Sequence, residues 1–331
     1  MSILVTGGAG YIGSHATRRL VQEGEDVVVV DDLSHGHRAA VDPRATLVVG
    51  STLDSVLMAH TLRAHRVEAV LHFASAIEVA ESAVDPGKYY ANNVAATVVL
   101  LEAMRREGVK KLVFSSTAAV YGSPAVVPIP EDHARHPIST YGRTKHMVEL
   151  ILADYAAAYD FGAVILRYFN VAGAAPDATL GEAHEPETHL IPCILAVAAA
   201  PDGRPAALFG TDYATPDGTC VRDFVHVEDL VTAHRLALAH VRTGRVEAFN
   251  VGSERGFSVR QVIEAVGRVV GRSIAVVERP RRVGDPDALV ACSDKIRSVL
   301  GFNPAFPELE TMIEHAWKWH SAHPQGFRGR E

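Results

Sequence analysis

The sequence predicts an α/β chain, a doubly wound parallel sheet joined to a smaller mixed α/β region. Three observations carry this expectation. Through its first half the chain alternates short β-branched runs with helical patterns, the rhythm of βαβ units. The runs lack polar/apolar alternation, as expected of strands buried on both faces. After about Arg167 the rhythm breaks, and loop-forming residues accumulate.

The candidate strands of the first half are residues 3–6, 27–30, 46–49, 69–73, 111–115 and 163–167. Helical patterns occupy 11–23, 88–107 and 141–159. Residues 172–188 and 201–219 are rich in Ala, Gly, Pro and Asp and read as loops. A strand signal at 249–251 and a helix signal at 258–270 follow. These patterns place one domain at 1–170 and a second at 171–331, with segments around 220–252 returning to the first.

The 331 residues suffice for one large or two medium cores, and 48% of them are hydrophobic. A formal charge of −7 argues against general attraction to nucleic acid or an anionic membrane, so neither is expected as a partner. Cys193, Cys220 and Cys292 are scattered and form no CxxC, which suits reduced thiols. The N-terminus enters a strand directly, and no apolar run approaches ~18 residues. A cytoplasmic protein is the expectation. Seventeen histidines invite a metal reading, but there is no HExxH and no Cys/His ligand spacing. His184 and His189 lie in a loop, and no metal is expected.

The first strand runs into Gly7-Gly8-Ala9-Gly10-Tyr11-Ile12-Gly13, which opens a helix. Glycines so placed allow a tight turn and close approach of backbone to a pyrophosphate, which then meets a helix N-terminus. A plain strand–helix turn is the bland alternative. The second strand ends in Asp31, 18 residues past Gly13. A carboxylate there can hold ribose hydroxyls and would repel a 2′-phosphate, so the expected cofactor is NAD rather than NADP. The expected domain is therefore Rossmann-type. Asp32 is either a further cofactor contact or a turn residue.

The fifth strand ends in Ser115-Ser116-Thr117, where active sites of such sheets form. Tyr141-Gly142-Arg143-Thr144-Lys145 then puts a phenol and an ammonium one helical turn apart. A tyrosine titrates near ~10, and reaching pH ~7 needs about 3 units, or roughly 4 kcal/mol. One lysine is not expected to supply all of it, so a second cation is expected nearby.

This set resembles the extended short-chain dehydrogenase/reductase superfamily and, within it, the UDP-glucose 4-epimerase family. The matching segments include residues 7–15, His72-Phe73-Ala74, 89–97, 114–122, 141–145 and Arg167-Tyr168-Phe169-Asn170 with Gly173-Ala174. Residues 218–227 and Arg281-Arg282 with Gly284-Asp285 extend the likeness over essentially the whole chain.

The resemblance implies reversible epimerisation at C4 of UDP-glucose and UDP-galactose through a 4-keto sugar, with NAD retained. It implies Tyr141 as the base, Lys145 as the group that lowers its pKa and holds the nicotinamide ribose, and Thr117 as proton relay. The nicotinamide cation is then the second positive charge. The implied cofactor set is Gly7, Gly10, Tyr11, Ile12, Gly13, Asp31, Asp32, Phe73, Ala74, Asn92, Tyr141, Lys145 and Tyr168. For the UDP-sugar it adds Asn170, His189, Leu190, Phe209, Arg222, Arg282, Asp285 and Leu289 to Thr117 and Tyr141. A salt bridge from Arg222 to Asp223 and a solvated turn at Arg281-Arg282 are the bland alternatives. A homodimer is also implied, through the helical stretches 88–107 and 141–159.

The chain departs from the family in three places. Ser51 stands where an adenine-facing Asp is frequent, and Ile77 where some members carry a lysine near the pyrophosphate. Leu289 stands where members restricted to glucose and galactose carry a tyrosine, which implies a pocket open to the N-acetylhexosamine forms. Competing readings are a C4 epimerase of a UDP-pentose or UDP-uronate and a net nucleotide-sugar oxidoreductase. A dehydratase would need acidic residues beside Thr117, where Ala118-Ala119 stand. A cofactor-bound sensor without chemistry would be expected to lose Tyr141 or Lys145.

Overall fold

A computed structural model describes residues 1–200, 203–282 and 285–328. Its main sheet has seven parallel strands: β1 Ser2–Thr6, β2 Asp26–Asp31, β3 Thr46–Val49, β4 Ala69–His72, β5 Lys111–Thr117, β6 Gly162–Tyr168 and a late strand, Val246–Val251. In space they run Val246–Val251, β6, β5, β4, β1, β2, β3. The order reverses beside β1, so its carboxyl end and that of β4 open into a crevice. The missing alternation in the sequence has its cause here. Ile3 and Val5 pack into one hydrophobic cluster and Leu4 into another, on opposite faces of the sheet. Each such fully buried aliphatic side chain contributes about 1.5–3 kcal/mol.

Two further groups of strands follow β6 among the described residues. Strands β7 Asn170–Ala172, β9 Val221–His226, β11 Gly256–Ser258 and β13 Ala288–Leu289 form a four-stranded sheet, with β10 being Val246–Val251 of the main sheet. Strands β8 Ala206–Phe209 and β12 Val276–Arg279 pair in parallel. β8 lies inside 201–219, expected to be loop; residues 201 and 202 of that stretch lie outside the described residues. The apolar Ala206-Ala207-Leu208-Phe209 is too short to show a period and gains its strand from the partner at 276–279. The helices Leu190–Ala199, Val259–Val270 and Leu309–Ala322 share one core around Ile194, Leu195, Val262, Val266 and Ile313.

Two helices bracket the crevice. Thr140–Tyr159 starts at Ser139, whose hydroxyl accepts from the Gly142 amide at 3.0 Å, and stops at Asp160 in the left-handed conformation (φ 59°). The stretch 86–107 is continuous, but residues Tyr90–Ala95 form a wide π-helical turn, and it ends at Gly108 with φ 75°. Inside that turn Asn93 is buried and donates to the Ala76 carbonyl at 3.0 Å and to Thr144 Oγ1 at 3.0 Å. Its Oδ1 accepts from the Ala76 amide at 2.8 Å. One side chain thus fixes the loop after β4 against the helix that carries Tyr141 and Lys145.

Candidate active site

The glycine loop is shaped by contacts that a side chain would destroy. Gly7 has φ +72°, and a Cβ on it would lie 2.6 Å from the Ala74 amide nitrogen. A Cβ on Gly13 would lie 2.1 Å from the Gly7 carbonyl oxygen. Gly10 has open space beyond the loop itself, at the N-terminus of the helix Tyr11–Gln22. A backbone cradle with a bare helix end suits the pyrophosphate of a dinucleotide. Phe73 and Ala74 lie over the cradle, both amides donating to the Thr6 carbonyl at 3.0 and 3.1 Å. Tyr11 reaches the other way, its hydroxyl donating to the Gly173 carbonyl at 2.6 Å.

Asp31 has a task that the sequence did not show. Its Oδ2 accepts from the Ala9 amide at 2.9 Å and its Oδ1 from the Leu33 amide at 2.9 Å. The carboxylate therefore latches the glycine loop to the end of β2. Burial raises its pKa and the two amides oppose that rise. Asp32 is exposed and turns to its own loop, accepting from Ser34 N at 2.9 Å and Ser34 Oγ at 2.6 Å. Asn92 is half-buried in the π-helical turn; its neighbour Asn93 makes the tertiary bonds. Ser51 Oγ accepts from the Leu53 amide at 3.2 Å, and Ile77 is exposed.

Thr117, Tyr141 and Lys145 meet at the carboxyl end of β5. Thr117 Oγ1 accepts from the Ala119 amide at 3.2 Å, and its hydroxyl also reaches the Tyr141 phenol. Lys145 is buried, donates to the Ser115 carbonyl at 2.9 Å and lies 5.9 Å from the Tyr141 ring centre. In the protein's own groups, burial is the largest influence on Tyr141. Loss of water raises the tyrosine to about 12, opposed by the Thr117 hydroxyl. The same loss lowers Lys145 to about 7. An ammonium buried without a carboxylate is itself costly, so it is a weak source of positive charge. Tyr168 completes the wall, 6.1 Å from the His234 ring and pushed up by burial.

A charged scaffold lies beneath this trio. Arg167 forms two bonds to Glu149, Nε to Oε1 at 2.9 Å and Nη2 to Oε2 at 2.7 Å, with both residues buried. Ser116 Oγ donates to Glu149 Oε1 at 2.6 Å, and Tyr121 donates to Asn250 at 2.7 Å while accepting from Arg167 at 2.9 Å. The network ties β5, β6, β10 and the Tyr141 helix together around the strand end. Sequence reasoning missed it, because its members are far apart and each reads as an ordinary polar residue.

The second set of predicted residues gathers on β9 and its neighbours. Arg222 pairs with Asp285, and its Nη1 donates to the Val221 carbonyl at 2.7 Å. Leu289 sits directly beside Arg222 in the β13–β9 register and packs against Val120, Tyr121 and Ile129. Arg282 lies over the Phe209 ring, 4.3 Å from its centre. Arg281, which is exposed, lies over Tyr213 at 4.0 Å and pairs with Asp212 at 2.6 Å. Gly284 lies outside the described residues. Asn170 starts β7 opposite Phe224 of β9. His189 is the N-cap of the helix that begins at Leu190. Two carboxylates face His189: Nδ1 is 2.9 Å from Glu182 and 3.1 Å from Glu187. These oppose its burial and raise its pKa to about 11.

Residues 3–252 match the NAD dependent epimerase/dehydratase family. A UDP-glucose 4-epimerase of Lactobacillus helveticus is 50% identical over 331 residues, covering all of both chains. The chain belongs to the UDP-glucose 4-epimerase family. A solved UDP-glucose 4-epimerase of Bifidobacterium longum, in complex with NAD+ and UDP, superposes with a TM-score of 0.94 at 35% identity, covering 99% of this chain and 100% of that one. The UDP-Glc/GlcNAc 4-epimerase of Campylobacter jejuni superposes with a TM-score of 0.82 at 39% identity, covering 97% and 99%. Among the described residues of this epimerase-family chain, no helix is long and apolar enough to cross a membrane.

Proposed function

We propose that the protein interconverts UDP-glucose and UDP-galactose at C4, using tightly held NAD. The meeting of Thr117, Tyr141 and Lys145 at the strand end beside the glycine cradle carries this reading. NAD, when bound, supplies a hydride acceptor and donor and a positive charge beside the phenol. Gly7, Gly10, Tyr11, Ile12 and Gly13 hold the pyrophosphate, and Asp31 faces the adenosine ribose. Phe73, Ala74 and Tyr168 bound the cofactor, with Asn92 and Asp32 in outer contacts. Tyr141 takes the proton of the sugar 4-hydroxyl and returns it after the 4-keto sugar has turned over. Thr117 orients that proton, and Lys145 anchors the nicotinamide ribose. The sugar is oxidised at C4 and reduced again on its other face, so the turnover is redox-neutral.

Arg222, Arg282, Asn170 and His189 act on the diphosphate and sugar, and Asp285 on the uridine ribose. Leu190 and Phe209 line the uracil pocket. Leu289 is smaller than a tyrosine, which favours a second reading in which N-acetylhexosamine forms also turn over. The two domains divide near residue 170, with the β10 segment returning to the first. The protein is cytoplasmic, serves galactose metabolism and is a homodimer. Tyr90, Met147 and Leu150 leave apolar surface on the helices proposed for that interface.

Incubation of the NAD-loaded protein with UDP-galactose, followed by proton NMR, tests the proposal. Accumulation of UDP-glucose without net NADH is the expected result. NAD-loaded protein that leaves UDP-galactose unchanged but converts a UDP-pentose or UDP-uronate would overturn the substrate. Parallel reactions with UDP-N-acetylglucosamine test the second reading, and no conversion there would remove it.

A further inference from the structure

Beside the proposed substrate contact at His189, where the sequence leads to no expectation of a metal, residues 182–189 bring four ligand-type side chains together. Glu182, His184, Glu187 and His189 present ligand atoms that all lie within 4.8 Å of one another. They alternate around a ring. His184 Nδ1 is 3.2 Å from Glu182 Oε1 and 3.6 Å from Glu187 Oε2. His189 Nδ1 is 2.9 Å from the same Glu182 oxygen and 3.1 Å from Glu187 Oε1.

We propose that these four residues form a zinc-class metal site that fixes the 182–189 segment at the N-cap of the helix Leu190–Ala199. Tetrahedral zinc binds His nitrogen and carboxylate oxygen at about 2.0–2.2 Å, which requires ligand atoms roughly 3.3–3.5 Å apart. The four measured edges straddle that spacing. The two imidazoles are borderline donors, and they favour zinc over magnesium or calcium, which take all-oxygen sites.

The ligands are also braced from outside, as metal ligands are. The amides of Thr188 and His189 each donate to Glu187 Oε1 at 2.8 Å. Trp319 Nε1 donates to the Glu182 carbonyl at 3.2 Å, and Gly181 lies flat on the Trp319 ring, where a Cβ would approach to 2.3 Å. The site therefore sits at the N-cap of the helix Leu190–Ala199 and is tied, through Trp319, to Leu309–Ala322.

Charge supports the same reading. With neutral imidazoles the four ligands carry two negative charges, which one divalent cation or two protons on the histidines neutralise. Metal and protons compete for one place, so binding weakens as pH falls. A metal on His189 Nδ1 leaves its Nε2–H to donate to an anion, so the clamp and the proposed contact with the nucleotide sugar coexist.

The test uses the untagged full chain, stripped with chelator and titrated with Zn2+ alone, with bound metal read by elemental mass spectrometry. We expect one zinc per chain and a rise in melting temperature, both lost in His184→Gln and in Glu187→Gln. Substituting Co2+ should give the visible bands of a tetrahedral N/O site, unchanged in Cys193→Ser, whose thiol donates nearby to the Glu187 carbonyl at 3.4 Å. Wild-type protein that stays zinc-free at saturating Zn2+ would overturn the proposal. So would variants that bind as the wild type does. If a variant fails to fold, the wild-type stoichiometry and cobalt spectrum still decide. None of these readouts involves epimerase activity, so failure here is separate from failure of the proposed reaction.

Discussion

Arg222 bonds to Asp285, sixty-three positions along the chain, and not to its neighbour Asp223. Asp223 is buried and accepts instead from Ser253 N at 2.8 Å, Ser253 Oγ at 2.7 Å, Glu254 N at 3.1 Å and Ala291 N at 3.0 Å. The two adjacent charges thus divide the labour. Asp223 fastens the loops, and Arg222 faces the proposed diphosphate site. Arg222→Leu should raise KM for UDP-glucose by at least about tenfold while NAD content stays constant. Asp285→Asn should raise it less. Steady-state kinetics checks both, because losing a charge-assisted bond costs about 1.5–3 kcal/mol.

Tyr141→Phe removes the proposed base and keeps the ring. We expect kcat to fall at least ~100-fold, with NAD still bound. Thr117→Val should lower kcat with a smaller change in KM. Near-normal turnover in Tyr141→Phe would reassign the base.

Lys145 yields a prediction about stability rather than rate. Its folded pKa, about 7, lies below the value of 10.5 for a free lysine. Between those values the unfolded chain binds more protons, so folding is favoured as pH rises. The NAD-stripped protein should gain stability from pH 7 to pH 9, and Lys145→Met should abolish the lysine's share of that gain. At pH 7 Lys145→Met should be more stable by on the order of a few kcal/mol while losing activity. Denaturant titrations at the two pH values check the sign.

Gly13→Ala places a methyl carbon 2.1 Å from the Gly7 carbonyl oxygen, among backbone atoms that cannot rotate away. The loop must open, and retained NAD should fall well below one per chain. Absorbance of the denatured supernatant after gel filtration measures this directly. Gly10→Ala meets only the Gly7 oxygen at 3.4 Å and should retain far more cofactor.

Glu149→Gln leaves Arg167 buried with its paired carboxylate charge removed. Loss of one partner of a buried pair typically costs about 3–5 kcal/mol, so the melting temperature should drop sharply. The same variant should shift kcat, because Glu149 lies on the helix of Tyr141 and bonds Ser116 beside Thr117.

The parallel strands and their glycine loop were legible because each rests on local chemistry, a β-branched run or a turn only glycine can make. So was the union of Thr117, Tyr141 and Lys145, which needs only one strand end and one helical turn. The pKa consequence was not legible. It depends on burial of Lys145 and Tyr141, which the spacing of two residues does not encode. Asp31 as a latch and the Arg167–Glu149 pair were hidden for another reason. Each joins segments whose contact arises only from tertiary packing. Strand β8 was missed because four apolar residues have no readable period without their partner.

Strand Val246–Val251 closes the main sheet against β6, although about eighty residues separate the two in the chain. The sheet that positions Thr117 and Tyr141 is therefore completed only after much of the other sheet has been made. Long-range parallel pairing of this kind slows folding and keeps an open strand edge exposed meanwhile. On the ribosome, β6 waits with its outer edge unpaired until the nascent chain has delivered residues 246–251. A chain cut near residue 170 would never receive its last strand. The catalytic half therefore depends on a strand delivered late, though still ahead of β11, β12 and β13.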